Sequence, residues 1–304
     1  MRLLLTGATG FLGQHIAGAA TGWEVTRVTR ALKASDPDEV ALGPSPWSQA
    51  DFVKVLSLTQ PDVVLHCAGA THSANVRACI DTNVLLAAEL LAAAAELPKL
   101  PRIVLIGSAA EYGVVPVVAQ PVVETHPCAP RTDYAVAKYT QSLLGFAAAM
   151  RGQQVIVARL FNPVGVGMPA GLALPSFARR IAEAGPNSIV RVGDMSAERD
   201  FLDVEEAARL LLHLAAMPHW PWPVVNICSG RAYRLSDLLD CMIAASGVRI
   251  KIESDPALMR PGDMPTLTGS VERLRSVGLV PRAPDFSLLL PRLLMEAQKS
   301  AAGL

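Results

Sequence analysis

Met1-Arg2-Leu3-Leu4-Leu5-Thr6-Gly7-Ala8-Thr9-Gly10-Phe11-Leu12-Gly13 is the stretch on which the reading of this chain turns. A short apolar run, Leu3–Thr6, breaks into glycine and gives way to helical spacing over residues 11–20. The spacing of Gly7, Gly10 and Gly13 is GxxGxxG. Between a strand and a helix each glycine has a task. One permits a tight turn, one lets the backbone approach a pyrophosphate, and one lets the helix pack closely on the strand. The helix start then presents free N–H groups and a partial positive charge to phosphate. Gly7, Thr9, Gly10, Phe11, Leu12 and Gly13 are therefore candidate dinucleotide contacts.

Outward from this loop, short apolar runs alternate with helical patterns. Strands are predicted at Leu3–Thr6, Glu24–Val28, Val63–Cys67, Ile103–Ile106, Val155–Arg159 and Val224–Ile227. Helices are predicted at Phe11–Ala20, Gln49–Leu58, Val76–Leu97, Thr132–Met150 and Glu205–Ala216. The strands are continuously apolar, which suits a parallel sheet covered on both faces. The fold class is α/β, a doubly wound Rossmann sheet. After Asn162 the chain turns rich in Gly and Pro. A helix at Pro175–Ala184, a strand at Ile189–Val192, a helix at Leu235–Ser246 and irregular segments follow. The division expected is a dinucleotide-binding domain over 1–162, completed by about 203–228, and a smaller substrate domain over 163–202 and 229–304.

The composition narrows the function further. In 304 residues, Lys+Arg and Asp+Glu both number 27, so no global charge attracts nucleic acid or an anionic membrane. The five cysteines form no CxxC pair, which speaks against a zinc site or a disulfide framework and suits a reducing cytoplasm. His15, His126, His213 and His219 show no metal spacing. The opening apolar run is too short for a signal peptide, and the longest one, Asn83 to Leu97, carries Glu89 and Glu96 and falls short of the ~20 residues of a membrane span.

Two clusters carry chemistry. The second strand ends Thr29-Arg30, with no acid to bind ribose hydroxyls, so these residues suit a 2′-phosphate and favour NADP(H), with NAD(H) still open. Tyr134-Ala135-Val136-Ala137-Lys138 is a YxxxK on a predicted helix, and residues at this spacing share a face. A free phenol has a pKa of ~10. A cation ~4 Å away at an effective dielectric of ~20 is worth up to about 4 kcal/mol, so Lys138 is expected to lower Tyr134 into a useful range. Ser108, at the end of the strand Ile103–Ile106, is placed to hydrogen-bond a reacting oxygen.

With the glycine loop, Ser108 and Tyr134/Lys138 in this order, the sequence resembles the extended short-chain dehydrogenase/reductase family, the NAD-dependent epimerases, dehydratases and reductases of nucleotide sugars. Supporting segments are Pro61-Asp62-Val63-Val64-Leu65-His66-Cys67-Ala68-Gly69-Ala70, Asp81-Thr82-Asn83 and Arg159-Leu160-Phe161-Asn162-Pro163. The resemblance implies that Cys67, Ala68, Gly69, Ala70, Asn83 and Phe161 join the cofactor contacts and that Asn162 meets the nucleotide diphosphate. The second half is similar to the GDP-4-keto-6-deoxy-D-mannose reductases, in Arg191-Val192-Gly193-Asp194, Glu198-Arg199-Asp200-Phe201-Leu202-Asp203 and Leu258-Met259-Arg260-Pro261-Gly262-Asp263. By that likeness Arg179, Arg199 and Arg260 contact the diphosphate and Asp263 the nucleotide ribose. Arginine offers the directional bidentate donors such a group needs.

Family dehydratases place Asp-Glu directly after the catalytic Ser/Thr. Here Ala109 and Ala110 stand there, which argues against dehydration. Ser45 falls where many members have an adenine-binding Asp. His66 reads as structural, His72 as a loop residue past which substrate could travel, and Cys67 as no nucleophile. The resulting expectation is NADPH-dependent reduction of the C4 ketone of a nucleotide-diphospho-4-keto-6-deoxyhexose. A nucleotide-sugar 4-epimerase with tightly bound NAD is the alternative, and a non-catalytic dinucleotide sensor a lesser one. The family commonly forms homodimers, and the apolar faces of Val76–Leu97 and Thr132–Met150 would suit such an interface.

Overall fold

The computed structural model describes residues 1–34, 36–44, 46–71, 75–185, 187–258 and 265–301. Seven parallel strands form the central sheet: β1 (Arg2–Thr6), β2 (Glu24–Thr29), β3 (Glu39–Ala41), β4 (Val63–His66), β5 (Arg102–Ser108), β6 (Val155–Leu160) and, from later in the chain, β10 (Val224–Ile227). Their order is β10-β6-β5-β4-β1-β2-β3. The chain winds one way from β1 to β3 and the other way from β4 to β10. The crevice at the carboxyl ends of β1 and β4 is thus the topological switch point, where open α/β sheets bind ligands. This bears out the doubly wound reading.

Helices cover both faces. On one, α1 (Phe11–Ala19) packs against α7 (Val204–Ala216), over a core that includes Leu3, Leu5, Leu65 and Val104. On the other lie α2 (Gln49–Thr59), α4 (Leu86–Ala95) and α5 (Asp133–Met150), over Leu4, Val64, Ile103 and Leu105. Alternate residues of one strand thus serve opposite cores, which is why Leu3–Leu5 of β1 and Val63–Leu65 of β4 are apolar without alternation. Ser48 and Asp51 form a capping box at the start of α2, and Thr132 accepts the Ala135 N–H at 3.2 Å to start α5.

The helix expected over Val76–Leu97 is not continuous. A short α3 (Val76–Ile80) passes into a π-helical turn, Asp81–Leu85, before α4. Such a turn sets an extra residue into the helix, and here Asn83 is one of its buried residues. Val76–Ala95 is the one helical run among the described residues long and apolar enough to cross a membrane. Half of it is buried within the protein, and α4 packs on α2 and α5.

A second core gathers α6 (Ala173–Glu183), β8 (Ser188–Val192), β9 (Glu198–Asp203), α8 (Leu235–Ser246) and α10 (Phe286–Ala301). Beside it run β7 (Asn162–Val164), β11 (Ala232–Arg234), β12 (Ile250–Ser254) and β13 (Thr266–Leu267), while the short α9 (Glu272–Ser276) packs on β10 and gives Leu274 to the first core. The end of the chain, expected to be irregular, is helical in α10 although Pro291 lies inside it. Proline removes one backbone donor. Leu289, Leu290, Leu293 and Leu294 are all buried on one stripe, and that burial keeps the helix. β9 was missed because its apolar centre, Phe201-Leu202, is flanked by charged residues.

Candidate active site

The glycine loop is a cradle made of backbone. Gly7 sits at φ +69°, and a Cβ there would stand 2.6 Å from the Ala68 nitrogen. A Cβ on Gly13 would lie 2.1 Å from the Gly7 carbonyl oxygen. Gly10 N-caps α1 with no side chain over the helix start, so the first N–H groups face outward. Thr9 and Gly10 are exposed, Phe11 and Leu12 partly so. Gly7 brings the loop Cys67–Ala70 against this cradle. From the other side, a Cβ on Gly167 would lie 3.7 Å from the Phe11 ring, so the loop after β7 borders it too. Backbone donors, missing Cβ atoms and an uncapped helix start fit a dinucleotide pyrophosphate.

Side chains from β5 and α5 converge beside the cradle. Ser108 ends β5, and its hydroxyl lies near enough to the Tyr134 phenol to draw its pKa downward. Burial pushes Tyr134 up to about 12, with Ser108 pulling down and Glu111 pushing up. Burial brings Lys138 down to about 8, opposed by Glu111, Cys67 and Cys79. Lys138 Nζ donates to Gln141 Oε1 at 2.8 Å, and the Gln141 amide donates to the Ile106 carbonyl at 3.1 Å. A Cβ on Gly69 would be 3.8 Å from Nζ, so the ammonium lies beneath the Cys67–Ala70 loop.

This corrects the expected coupling. The Tyr134 phenol is raised rather than lowered, and the Lys138 ammonium donates a hydrogen bond to Gln141. The phenol is governed by burial instead, which stabilises its protonated form. His66 behaves as a structural residue: it is 1% exposed, bonds Thr6 Oγ1 through Nδ1 at 2.9 Å, and is pushed down to about 3 by burial and then by Lys138. Burial raises the Cys67 thiol to about 12, which keeps it protonated and unreactive.

Other candidates fall differently. Asn83 is fully buried, and its side chain bonds both the N–H and the carbonyl of Ala70, at 3.3 and 3.1 Å. It supports the cofactor-side loop from below rather than facing the crevice. The Phe161 ring is also fully buried, in a cluster with Tyr112 and Cys228. Asn162 donates its side-chain amide to the Asp200 carbonyl at 2.9 Å. Thr29 is buried and its hydroxyl donates to Glu39, which turns it away from a 2′-phosphate; Arg30 is exposed. Glu39 reaches this place on β3, a strand the sequence pattern did not reveal. Arg179 pairs with Glu183 at 3.2 Å on the exposed face of α6. Its neighbour Arg180 reaches the Arg191 carbonyl and lines an open depression with Ser188, Arg191 and Leu258. Arg199, half-buried, donates to the Glu198 carbonyl at 2.8 Å. Arg260, Asp263, His72 and Ser45 lie outside the described residues.

Sequence reading also missed Glu111, Gln141 and Ser142, which surround the Ser108/Lys138 pair. One signal was present: Ser108-Ala109-Ala110-Glu111 has the spacing of a capping box, and the structure forms one there.

Dinucleotide-dependent oxidoreductases are the class that this cradle, with a serine, a tyrosine and a lysine closing on the same crevice, defines. Residues 3–228 match the NAD dependent epimerase/dehydratase family, and the chain belongs to it. It is 30% identical to GDP-6-deoxy-D-mannose reductase of Pseudomonas aeruginosa, over 90% of this chain and 89% of that one. It is 31% identical to dTDP-6-deoxy-L-talose 4-dehydrogenase (NAD(P)(+)) of Kitasatospora kifunensis, over 84% and 82%. The structure of RMD from P. aeruginosa complexed with NADPH superposes with a TM-score of 0.80 at 26% identity, covering 98% of each chain.

Proposed function

We propose that this enzyme reduces the C4 ketone of a nucleotide-diphospho-4-keto-6-deoxyhexose, with the GDP-linked mannose derivative as the favoured substrate and NADPH as reductant. The observation that carries the reading is the placement of Ser108 at the end of β5 next to Tyr134, with Lys138 one turn further along α5, at the switch-point crevice. The nicotinamide, when bound, supplies the hydride. Tyr134, kept neutral by burial, protonates the alkoxide oxygen that develops at C4. Ser108 donates a hydrogen bond to the same oxygen. Lys138 steadies the nicotinamide ribose from beneath the Cys67–Ala70 loop. Asn162, Arg199 and Arg260 serve the diphosphate and Asp263 the nucleotide ribose, on the likeness to the mannose reductases; Arg179 joins them by leaving Glu183. Ala109 and Ala110 supply neither the acid nor the base of a dehydration.

Two named relatives support this reading: a GDP-6-deoxy-D-mannose reductase and a dTDP-6-deoxy-L-talose 4-dehydrogenase. NADPH is supported by the exposed Arg30 and by the NADPH in the P. aeruginosa structure. Glu39 favours a second reading, a 4-epimerase holding NAD, since a carboxylate beside Thr29 repels a 2′-phosphate. A panel of nucleotide ketosugars assayed with NADPH and NADH separates the two. Net NADPH oxidation with a 4-keto-6-deoxyhexose is the expected result. Co-purified NAD with epimerisation and no net redox would establish the other.

The site lies within one chain, yet we also propose a homodimer in the cytoplasm. Val76, Ile80 and Leu85 on the α3–α4 run, and Val136, Leu143 and Met150 on α5, are exposed apolar residues on neighbouring helices. All five cysteines are free thiols.

A further inference from the structure

We propose that Glu111 is a positioning residue that locks Ser108 to the helix carrying Tyr134 and Lys138. The proposal rests on the reading of these three as the reacting centre. Glu111 lies in the turn Ala109–Tyr112 and is 0% exposed, so substrate cannot touch it. One carboxylate oxygen accepts the Ser108 N–H at 2.8 Å. The other accepts the Ser142 hydroxyl and the Arg159 Nε, both at 2.9 Å. Ser142 lies one helical turn beyond Lys138 on α5, so a single carboxylate ties the end of β5 to the face of α5 that bears the lysine.

The surroundings are built for this clamp. Gly107 makes room, since a Cβ there would stand 2.6 Å from the Glu111 carboxylate oxygen. Arg159 is 3% exposed and lies 4.7 Å above the Tyr112 ring. The Tyr112 hydroxyl donates to Asn226 at 2.7 Å, on β10. Asn226 in turn gives its N–H to Glu124 at 3.0 Å, and Glu124 pairs with Arg273 at 3.4 Å. The clamp is therefore anchored across three strands of the sheet. The groups facing Lys138 are His66 from β4, Cys67 from the loop after it, Cys79 from α3, and Glu111 from the turn after β5. Glu111 is the one carboxylate among them, so its charge bears directly on the ammonium.

Glu111→Gln, Glu111→Asp and Ser142→Ala in the full chain test the proposal. Two readouts go beyond folding: kcat with ketosugar against pH, set beside the dinucleotide dissociation constant, and the pH midpoint of Lys138 acylation, followed by peptide mass spectrometry. Glu111→Gln is expected to lower the Lys138 midpoint by about 1 unit and to move the alkaline limb of kcat the same way. Glu111→Asp restores part of that shift. Ser142→Ala loosens the clamp without unpairing Arg159; it is expected to lower kcat about tenfold or more with dinucleotide affinity unchanged. A folded Glu111→Gln with an unshifted midpoint overturns the proposal. If Glu111→Gln does not fold, a wild-type kcat in Ser142→Ala does so. The acylation midpoint needs no substrate, so a wild-type protein inert toward every ketosugar sinks the substrate reading and leaves this test decisive.

Discussion

The phosphate cradle and the Ser108/Tyr134/Lys138 centre share one edge of the sheet but are built on opposite principles. The cradle is backbone alone. It works because Gly7 and Gly13 have no Cβ, in places where one would stand 2.6 and 2.1 Å from neighbouring backbone atoms. No titratable group takes part. The centre is side chains from two elements, with Lys138 buried and Ser108 and Tyr134 partly so, and burial shifts its titratable groups. It displaces Tyr134 to about 12, Lys138 to about 8 and, under the same loop, His66 to about 3. A contiguous stretch suffices where shape is the requirement, whereas the charges that tune a proton donor come also from distant parts of the chain.

The largest effect should come from breaking the centre and sparing the cradle. Tyr134→Phe is expected to lower kcat by about 10²–10⁴-fold, the range of a lost general acid. Its dinucleotide affinity, measured by fluorescence titration, should equal the wild type; unchanged turnover would refute the assigned role.

Gly13→Ala makes the converse cut. Its methyl must displace the Gly7 turn, costing roughly 1–3 kcal/mol in denaturant unfolding and weakening dinucleotide binding about tenfold or more. Wild-type affinity in that variant would show that α1 does not receive the pyrophosphate.

The smallest test concerns acid stability. His66 titrates at about 3 when folded, against 6.5 when free, so the unfolded chain binds more protons between these values. The contribution is complete above about 6.5 and is lost as pH falls toward 3, at up to about 1.4 kcal/mol per unit. Asp200, which burial raises to about 6 from 3.8, acts with the opposite sign over its own range. The measurement is therefore the difference in unfolding free energy between wild type and His66→Gln. A difference that does not change between pH 7 and 5 would mean that the buried imidazole is not neutral.

Much of the centre was legible, for a local reason. A YxxxK on one helix and a serine closing a strand keep their spacing wherever they occur, so Tyr134, Lys138 and Ser108 stood out. Their electrostatics did not. The reading that paired Lys138 with the phenol could not foresee Gln141, three residues on, capturing the ammonium. Glu39 and Thr29 are likewise ten residues apart in sequence and meet through β3, which at three residues is too short to read as a strand. Among the arginines proposed for the diphosphate, Arg179 is held in an ion pair that sequence spacing alone does not distinguish from a free cation.

The sequence by itself determined the doubly wound sheet, the glycine cradle and the family, because periodicity, turn chemistry and missing Cβ atoms act over a few residues. Only the tertiary structure decided which charges meet. Glu111 with Arg159, Lys138 with Gln141 and Thr29 with Glu39 are chosen by the register and packing of the strands and helices that carry them. Inside the protein, where water no longer screens, those pairings set the chemistry of the crevice.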